Sequence, residues 1–171
     1  KVMHDISKED IQPGEVYINL MEDGSFETWL GSLIKPGEKF YLAGESIEQL
    51  QRMIIRAAAI GYETSIAGGV VITGGKIKES EIDITRFKKY PKDYTIVDVR
   101  NDLEVKEGKI FPGSISIPLA QLVDRLDEIP TNKPIVVHCA AGYRSAAASS
   151  LIHSKLNGTV KIFNLGEAVK E

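Results

Sequence analysis

The chain is poor in the residues that make covalent or metal-held scaffolds: one cysteine, three histidines and one tryptophan in 171 residues. A single cysteine excludes an internal disulfide framework, as expected of a reducing cytoplasm, and a cytoplasmic location is the expectation drawn from it. The histidines His4, His138 and His153 are scattered, and no spacing among them resembles a ligand pattern, so neither a metal site nor a cofactor is expected. No apolar run is long enough to span a bilayer, so no membrane partner is expected. The start, Lys1-Val2-Met3-His4-Asp5, runs into charged residues rather than the apolar core of a signal peptide. Blocks of like charge are absent too. With a net charge of −3 and dispersed basic residues, the composition argues against nucleic acid as a partner. The chain opens without Met, in what reads as the middle of a structural unit, and is expected to be part of a larger protein.

What is present is an ordinary globular composition, 43% hydrophobic and 26% charged, sufficient for one medium domain or two small ones. The second half alternates strands and helices. Tyr94-Thr95-Ile96-Val97-Asp98-Val99, Pro134-Ile135-Val136-Val137-His138 and Val160-Lys161-Ile162-Phe163 are short apolar runs that predict strands buried on both faces of a parallel sheet. Between the last two, Ser145 to Leu156 is rich in helix formers, and Asn157-Gly158 stands where a helix stop belongs. The first half repeats this order. Lys39 to Ala43 reads as a strand. Ser46 and Gln49 form a capping-box pattern, and Ile47, Leu50, Met53, Ile54, Ala57 and Ala58 recur at helical spacing before Gly61. The reading is an α/β chain of two tandem units, each a mostly parallel sheet flanked by helices. They cover residues 1–75 and 80–171, with a boundary in the polar stretch Thr73 to Ser80.

Cys139 falls where a predicted parallel strand ends and a loop leads to a helix, the place where open α/β sheets put their ligands. A cysteine near a helix N-terminus has a lowered pKa, and the thiolate is the form that attacks. Gly142 lets the loop turn its N–H groups inward, and Arg144 adds a cation that can orient an anionic donor. The competing reading is a small apolar filler, which a buried cysteine often is. His138, preceding Cys139 on a strand, points to the opposite face and reads as structural. Ser145 is expected to cap the helix, Trp29 to sit in the core of the first unit, and His153 to lie in the core or at the edge of the surface.

Val137-His138-Cys139-Ala140-Ala141-Gly142-Tyr143-Arg144-Ser145 resembles the active-site loop of the rhodanese family. Upstream, Asp98-Val99-Arg100, Glu104, Gly108-Lys109-Ile110-Phe111-Pro112-Gly113-Ser114 and Ile117-Pro118 resemble the family's second signature, and the two together cover roughly residues 80–168. Lys109 and the additional Phe111 depart from the usual Gly-His-Ile-Pro-Gly-Ala form and are expected to alter the surface near the site. Four residues separate Cys139 from Arg144, whereas the similar loop of cysteine-based phosphatases has five. The tighter loop suits a persulfide sulfur better than a tetrahedral phosphate.

The resemblance implies a rhodanese-type sulfurtransferase working by two displacements. Cys139 takes sulfane sulfur from thiosulfate or a persulfide, and a thiol, sulfite or cyanide removes it. Cys139 and Arg144 would be catalytic, and Ala140, Ala141, Gly142, Tyr143 and Ser145 would form the anion-binding loop. Asp98 and Arg100 would make a structural charge pair. An alternative is a persulfide relay module of a larger sulfide-detoxifying enzyme, and a further one is a non-catalytic interaction module.

Aligned on the second unit, the first places Gly44 at the nucleophile position, and its loop Gly44-Glu45-Ser46 is shorter and acidic. It is expected to be an inactive, N-terminally truncated rhodanese-like copy. Phe26 to Gly31, Pro36-Gly37-Glu38 and Ile60 to Glu63 resemble the inactive domain of bacterial fusions that join a metallo-β-lactamase-fold domain to tandem rhodanese domains, as in persulfide dioxygenase-type proteins. That resemblance implies a metallo-hydrolase domain upstream of this chain.

Overall fold

The computed structural model describes residues 4–5, 25–71, 82–156 and 158–170, which fall into two compact units, 4–71 and 82–170. The expected boundary at residues 73–80 and the helix-stop residue Asn157 lie outside the described residues.

The first unit holds β1 (His4–Asp5), α1 (Phe26–Leu33), β2 (Phe40–Gly44), α2 (Ile47–Ala59) and β3 (Ile66–Val71). All pairings are parallel, in the order β1-β3-β2. Burial of one α2 stripe forms the core: Leu50, Met53 and Ala57 pack with Phe26, Leu30, Leu42 and Tyr62. Ile47, expected on that stripe, is instead 52% exposed because it opens the helix before its face turns toward the sheet. Trp29 is likewise not in this core. It is only half-buried on α1, whose inward face is carried by Phe26, Leu30 and Leu33.

Ser46 caps α2, accepting from the Gln49 N–H at 3.1 Å. The Gln49 side chain reaches one residue further back than a capping box requires and accepts from the Glu45 N–H at 2.6 Å. At the other end Gly61 adopts φ 82°, and the N–H groups of Gly61 and Tyr62 close on the carbonyls of Ala58 and Ala57. This is the paired closure of a Schellman motif, and it needs a left-handed residue at Gly61.

The second unit runs α3 (Ile84–Lys89), β4 (Thr95–Asp98), α4 (Asp102–Glu107), β5 (Ile115–Ser116), β6 (Ile135–His138), α5 (Tyr143–Leu156) and β7 (Ile162–Asn164), with short 3-10 turns between. Its parallel sheet has the order β5-β4-β6-β7. β4 and β6 are buried along their whole length, as their continuous apolar runs require. α5 begins two residues earlier than expected, at Tyr143, and sinks Ala147, Ala148, Leu151 and Ile152. Their small and aliphatic side chains let the helix lie close over the sheet.

Phe111 is partly buried. It turns inward, edge-on to Phe87 at 5.3 Å and to His138 at 4.9 Å between ring centroids. Lys109 closes the same turn by donating to the Ser114 carbonyl at 2.7 Å. Among the described residues no helix is long and apolar enough to cross a membrane.

Candidate active site

The site is built at the carboxyl ends of β4 and β6. Register places Asp98 opposite both His138 and Ser116, so three polar side chains line up across the sheet. Asp98 is fully buried, and Arg100, 7% exposed, grips it with two N–H groups, Nε at 3.0 Å from Oδ1 and Nη2 at 2.8 Å from Oδ2. Arg100 Nη2 also donates to the Gly108 carbonyl at 3.0 Å, which fixes the chain leaving α4. This buried fork holds the loops at the sheet end in place. His138 Nε2 lies 3.7 Å from Asp98 Oδ2, beyond hydrogen-bond distance. Burial pushes the imidazole pKa below its ordinary value, and Asp98 only partly opposes that, so the ring is neutral in the fold near neutral pH.

Cys139 is the first residue past β6 and is 1% exposed. Its sulfur sits under the opening turn of α5. The Gly142 N–H points at Sγ at 3.1 Å, and the Ser145 Oγ lies 3.6 Å away. Burial pushes the thiol up. The Ser145 hydroxyl and the backbone N–H groups of Ala141, Ser145 and Gly142 outweigh it, and the thiol pKa falls below its usual value. A thiolate is thereby favoured without a histidine base.

Ser145 is not the helix cap. It is the third residue of α5, and its hydroxyl donates to the Gly142 carbonyl at 3.0 Å. That carbonyl also accepts the Ala146 N–H, the first bond of the helix. Glycine is favoured at position 142 on two counts. Its φ of 94° is left-handed, and a Cβ there would lie 3.2 Å from the Gly166 backbone.

Arg144 is half-buried on the first turn of α5. It forms a two-pronged ion pair with Glu104, with Nη2 2.7 Å from Oε1 and Nη1 on Oε2. Glu104 is itself fixed, because Oε2 accepts the Asn101 N–H at 2.9 Å in a capping box that starts α4. Arg144, and then this backbone bond, hold the Glu104 carboxyl at about 2. Glu104 was visible only as part of a motif. Its N-cap spacing from Asn101 could have located α4, but nothing in the sequence marks a pairing across 40 residues. Ala140 and Ala141 are exposed and Tyr143 is half-buried, so the loop presents small or aromatic side chains to solvent. His153 is exposed on α5, away from the buried face.

In the first unit, β2 ends at Gly44, the position aligned with Cys139. A Cβ at Gly44 would meet Gln49 Oε1 at 3.0 Å and Leu50 Cγ at 3.2 Å, so a side chain there needs both neighbours to give way slightly.

A parallel sheet whose strand end carries Cys139 into a tight N–H-lined turn, with the buried Asp98–Arg100 pair at the end of the neighbouring strand, defines an α/β domain built around a cysteine loop. The rhodanese-like domain model matches residues 83–170, half of the chain, and the chain belongs to the rhodanese-like domain family. It is 30% identical over 69 residues to a sulfurtransferase of Allochromatium vinosum, covering 40% of this chain and 64% of that one. It is 27% identical over 169 residues to a putative sulfur carrier protein of Bacillus subtilis, covering 95% of this chain and 82% of that one. Among solved structures, a rhodanese-related protein of Thermoplasma volcanium is 31% identical with a TM-score of 0.42, covering 48% of this chain and 79% of that one. The chain spans 46% to 64% of the length of the first curated relatives it matches.

Proposed function

We propose that the chain is a sulfurtransferase that moves sulfane sulfur from thiosulfate or a persulfide to a thiol, sulfite or cyanide acceptor through a persulfide on Cys139. The observation that carries this is the Cys139 sulfur seated under the Gly142 N–H at 3.1 Å, at the N-terminus of a 14-residue helix. Such a seat stabilises a thiolate before attack and the terminal sulfur of a persulfide after it, with donors fixed in advance. Cys139 is the nucleophile, and residues 140–145 supply the N–H lining. Arg144 holds the loop to α4 and faces the sulfur, and Asp98 with Arg100 forms a buried pair at the end of the neighbouring strand.

A covalent intermediate predicts ping-pong kinetics. Turnover of thiosulfate or a persulfide with cyanide tests it. Cys139→Ser abolishes thiocyanate formation on this reading, and retained turnover removes Cys139 from the mechanism.

In a second reading Cys139 is a relay, loading sulfur and passing it to another active site of a larger sulfide-detoxifying protein. The match to a putative sulfur carrier protein along 95% of this chain favours it. Stoichiometric loading without turnover would distinguish relay from enzyme, and no loading at all would leave an interaction module. On either reading we take residues 1–75 as a degenerate, truncated rhodanese-like copy and 80–171 as the active domain of a cytoplasmic protein, with a metallo-hydrolase domain preceding them. The two-copy part of this reading is supported by the order of elements: both units place a strand, a loop and a long helix before a strand parallel to the first, β2-α2-β3 and β6-α5-β7.

A further inference from the structure

The active-site loop carries one charged side chain, Arg144, among residues 139–145. That cation is already shared. Two of its nitrogens are held by the Glu104 carboxylate, and the guanidinium also interacts with the Cys139 sulfur. Glu104 cannot readily swing away, because the capping bond to the Asn101 N–H fixes it at 2.9 Å. The reactive state therefore sets one cation between two anions, a carboxylate and a thiolate. A thiosulfate dianion would bring two more negative charges to a site with no uncommitted charge in its loop.

We infer that Glu104 is a specificity-determining residue: by occupying Arg144 it sets this site against dianionic donors and in favour of organic persulfides. This deepens the sulfurtransfer reading and rests on it. With a persulfide, the Cys139 thiolate attacks the outer sulfur of R–S–SH. The new Sγ–S bond forms as the R–S bond to that sulfur breaks, and the electron pair leaves as the thiolate R–S⁻. Cys139 becomes Cys–S–SH, whose proton ionises into the N–H-lined seat. With thiosulfate the same attack would expel sulfite and leave Cys–S–S⁻. In both, sulfur is transferred as sulfane sulfur and no outside oxidant or reductant is needed.

The test is single-turnover loading of Cys139 in the full chain, followed by quenched-flow mass spectrometry with benzyl persulfide or thiosulfate. Each rate constant is divided by that of the same donor with free N-acetylcysteine thiolate, which removes intrinsic reactivity. The normalised preference for benzyl persulfide over thiosulfate is expected to be at least about tenfold, the weight of one unit charge felt across a partly solvated site. Glu104→Gln keeps an acceptor for the Asn101 N–H while releasing the cation, and should cut that preference at least about tenfold by accelerating thiosulfate. A general loss of fold would slow both donors and leave the ratio unchanged. If thiosulfate loads wild-type Cys139 as well as the persulfide does, or if a folded Glu104→Gln leaves the ratio unmoved, the inference falls while sulfur transfer stands. Should Glu104→Gln not fold, the wild-type ratio alone decides. If neither donor loads Cys139, the sulfurtransfer reading itself fails and this inference fails with it.

Discussion

Replacing Gly142 by alanine should break both the fold of the loop and the state of the thiol. A non-glycine residue held at φ 94° costs about 1–3 kcal/mol. The new Cβ would also press on the Gly166 Cα and carbonyl carbon at 3.2 Å and on the Glu167 N at 3.4 Å, all backbone atoms that cannot rotate away. Relief requires the loop to shift, which costs roughly 1–3 kcal/mol more by analogy with overpacked cores. The expected total is about 2–6 kcal/mol in urea unfolding. The shift would carry the Gly142 N–H away from Sγ, so the pH midpoint for iodoacetamide alkylation should move up. Gly158→Ala is the matched control, with φ 71° but nothing within 4 Å of the new carbon. It should cost only about 1–2 kcal/mol and leave the thiol midpoint unchanged. Equal loss of stability in the two variants, with the wild-type midpoint kept in Gly142→Ala, would refute this role for Gly142.

Ser145→Ala removes the hydroxyl 3.6 Å from Sγ, and the alkylation midpoint should rise with little change in unfolding free energy, since the Ala146 N–H still satisfies the Gly142 carbonyl. An unmoved midpoint would show that the backbone alone sets the thiolate. Asp98→Ala strands a buried guanidinium and should cost about 3–5 kcal/mol in denaturant unfolding; a loss below 1 kcal/mol would mean water reaches Arg100. His138 takes up a proton more easily unfolded than folded, so its contribution to stability is present above its ordinary value of 6.5 and is lost as pH falls below it toward the lowered folded value. Chemical unfolding from pH 7 to pH 5 should therefore be less pH-dependent in His138→Gln than in wild type. Glu104 behaves as a depressed carboxylate. Its stabilisation is present above 4.5 and lost as pH falls toward about 2, so Glu104→Gln should flatten the acid limb of the stability curve below pH 4.5.

The legible parts of the fold were those written in local pattern. Buried runs such as Ile135 to His138 gave the central strands, and Ser46 and Gly61 gave both ends of α2, because caps and left-handed turns depend on residues a few positions apart. Cys139, Gly142 and Arg144 were legible for the same reason, being one continuous loop. The misses were contacts between distant segments. Phe111 turned inward because His138 and Phe87 offer it a buried edge-on seat, and no local pattern shows which way a loop aromatic faces. Arg144 found Glu104 only once β4 and β6 had paired and brought α4 beside α5's first turn. Ser145 was misread as a cap because the helix gains two residues, Tyr143 and Arg144, from the tight turn at Gly142.

Whether Cys139 carries sulfur is decided by intact-mass measurement after brief exposure to a persulfide or thiosulfate. The expected result is a gain of about 32 Da, mapped to Cys139, discharged by cyanide with release of thiocyanate and absent in Cys139→Ser. A wild-type chain that stays at its original mass with both donors, or that gains the same mass in Cys139→Ser, would contradict it.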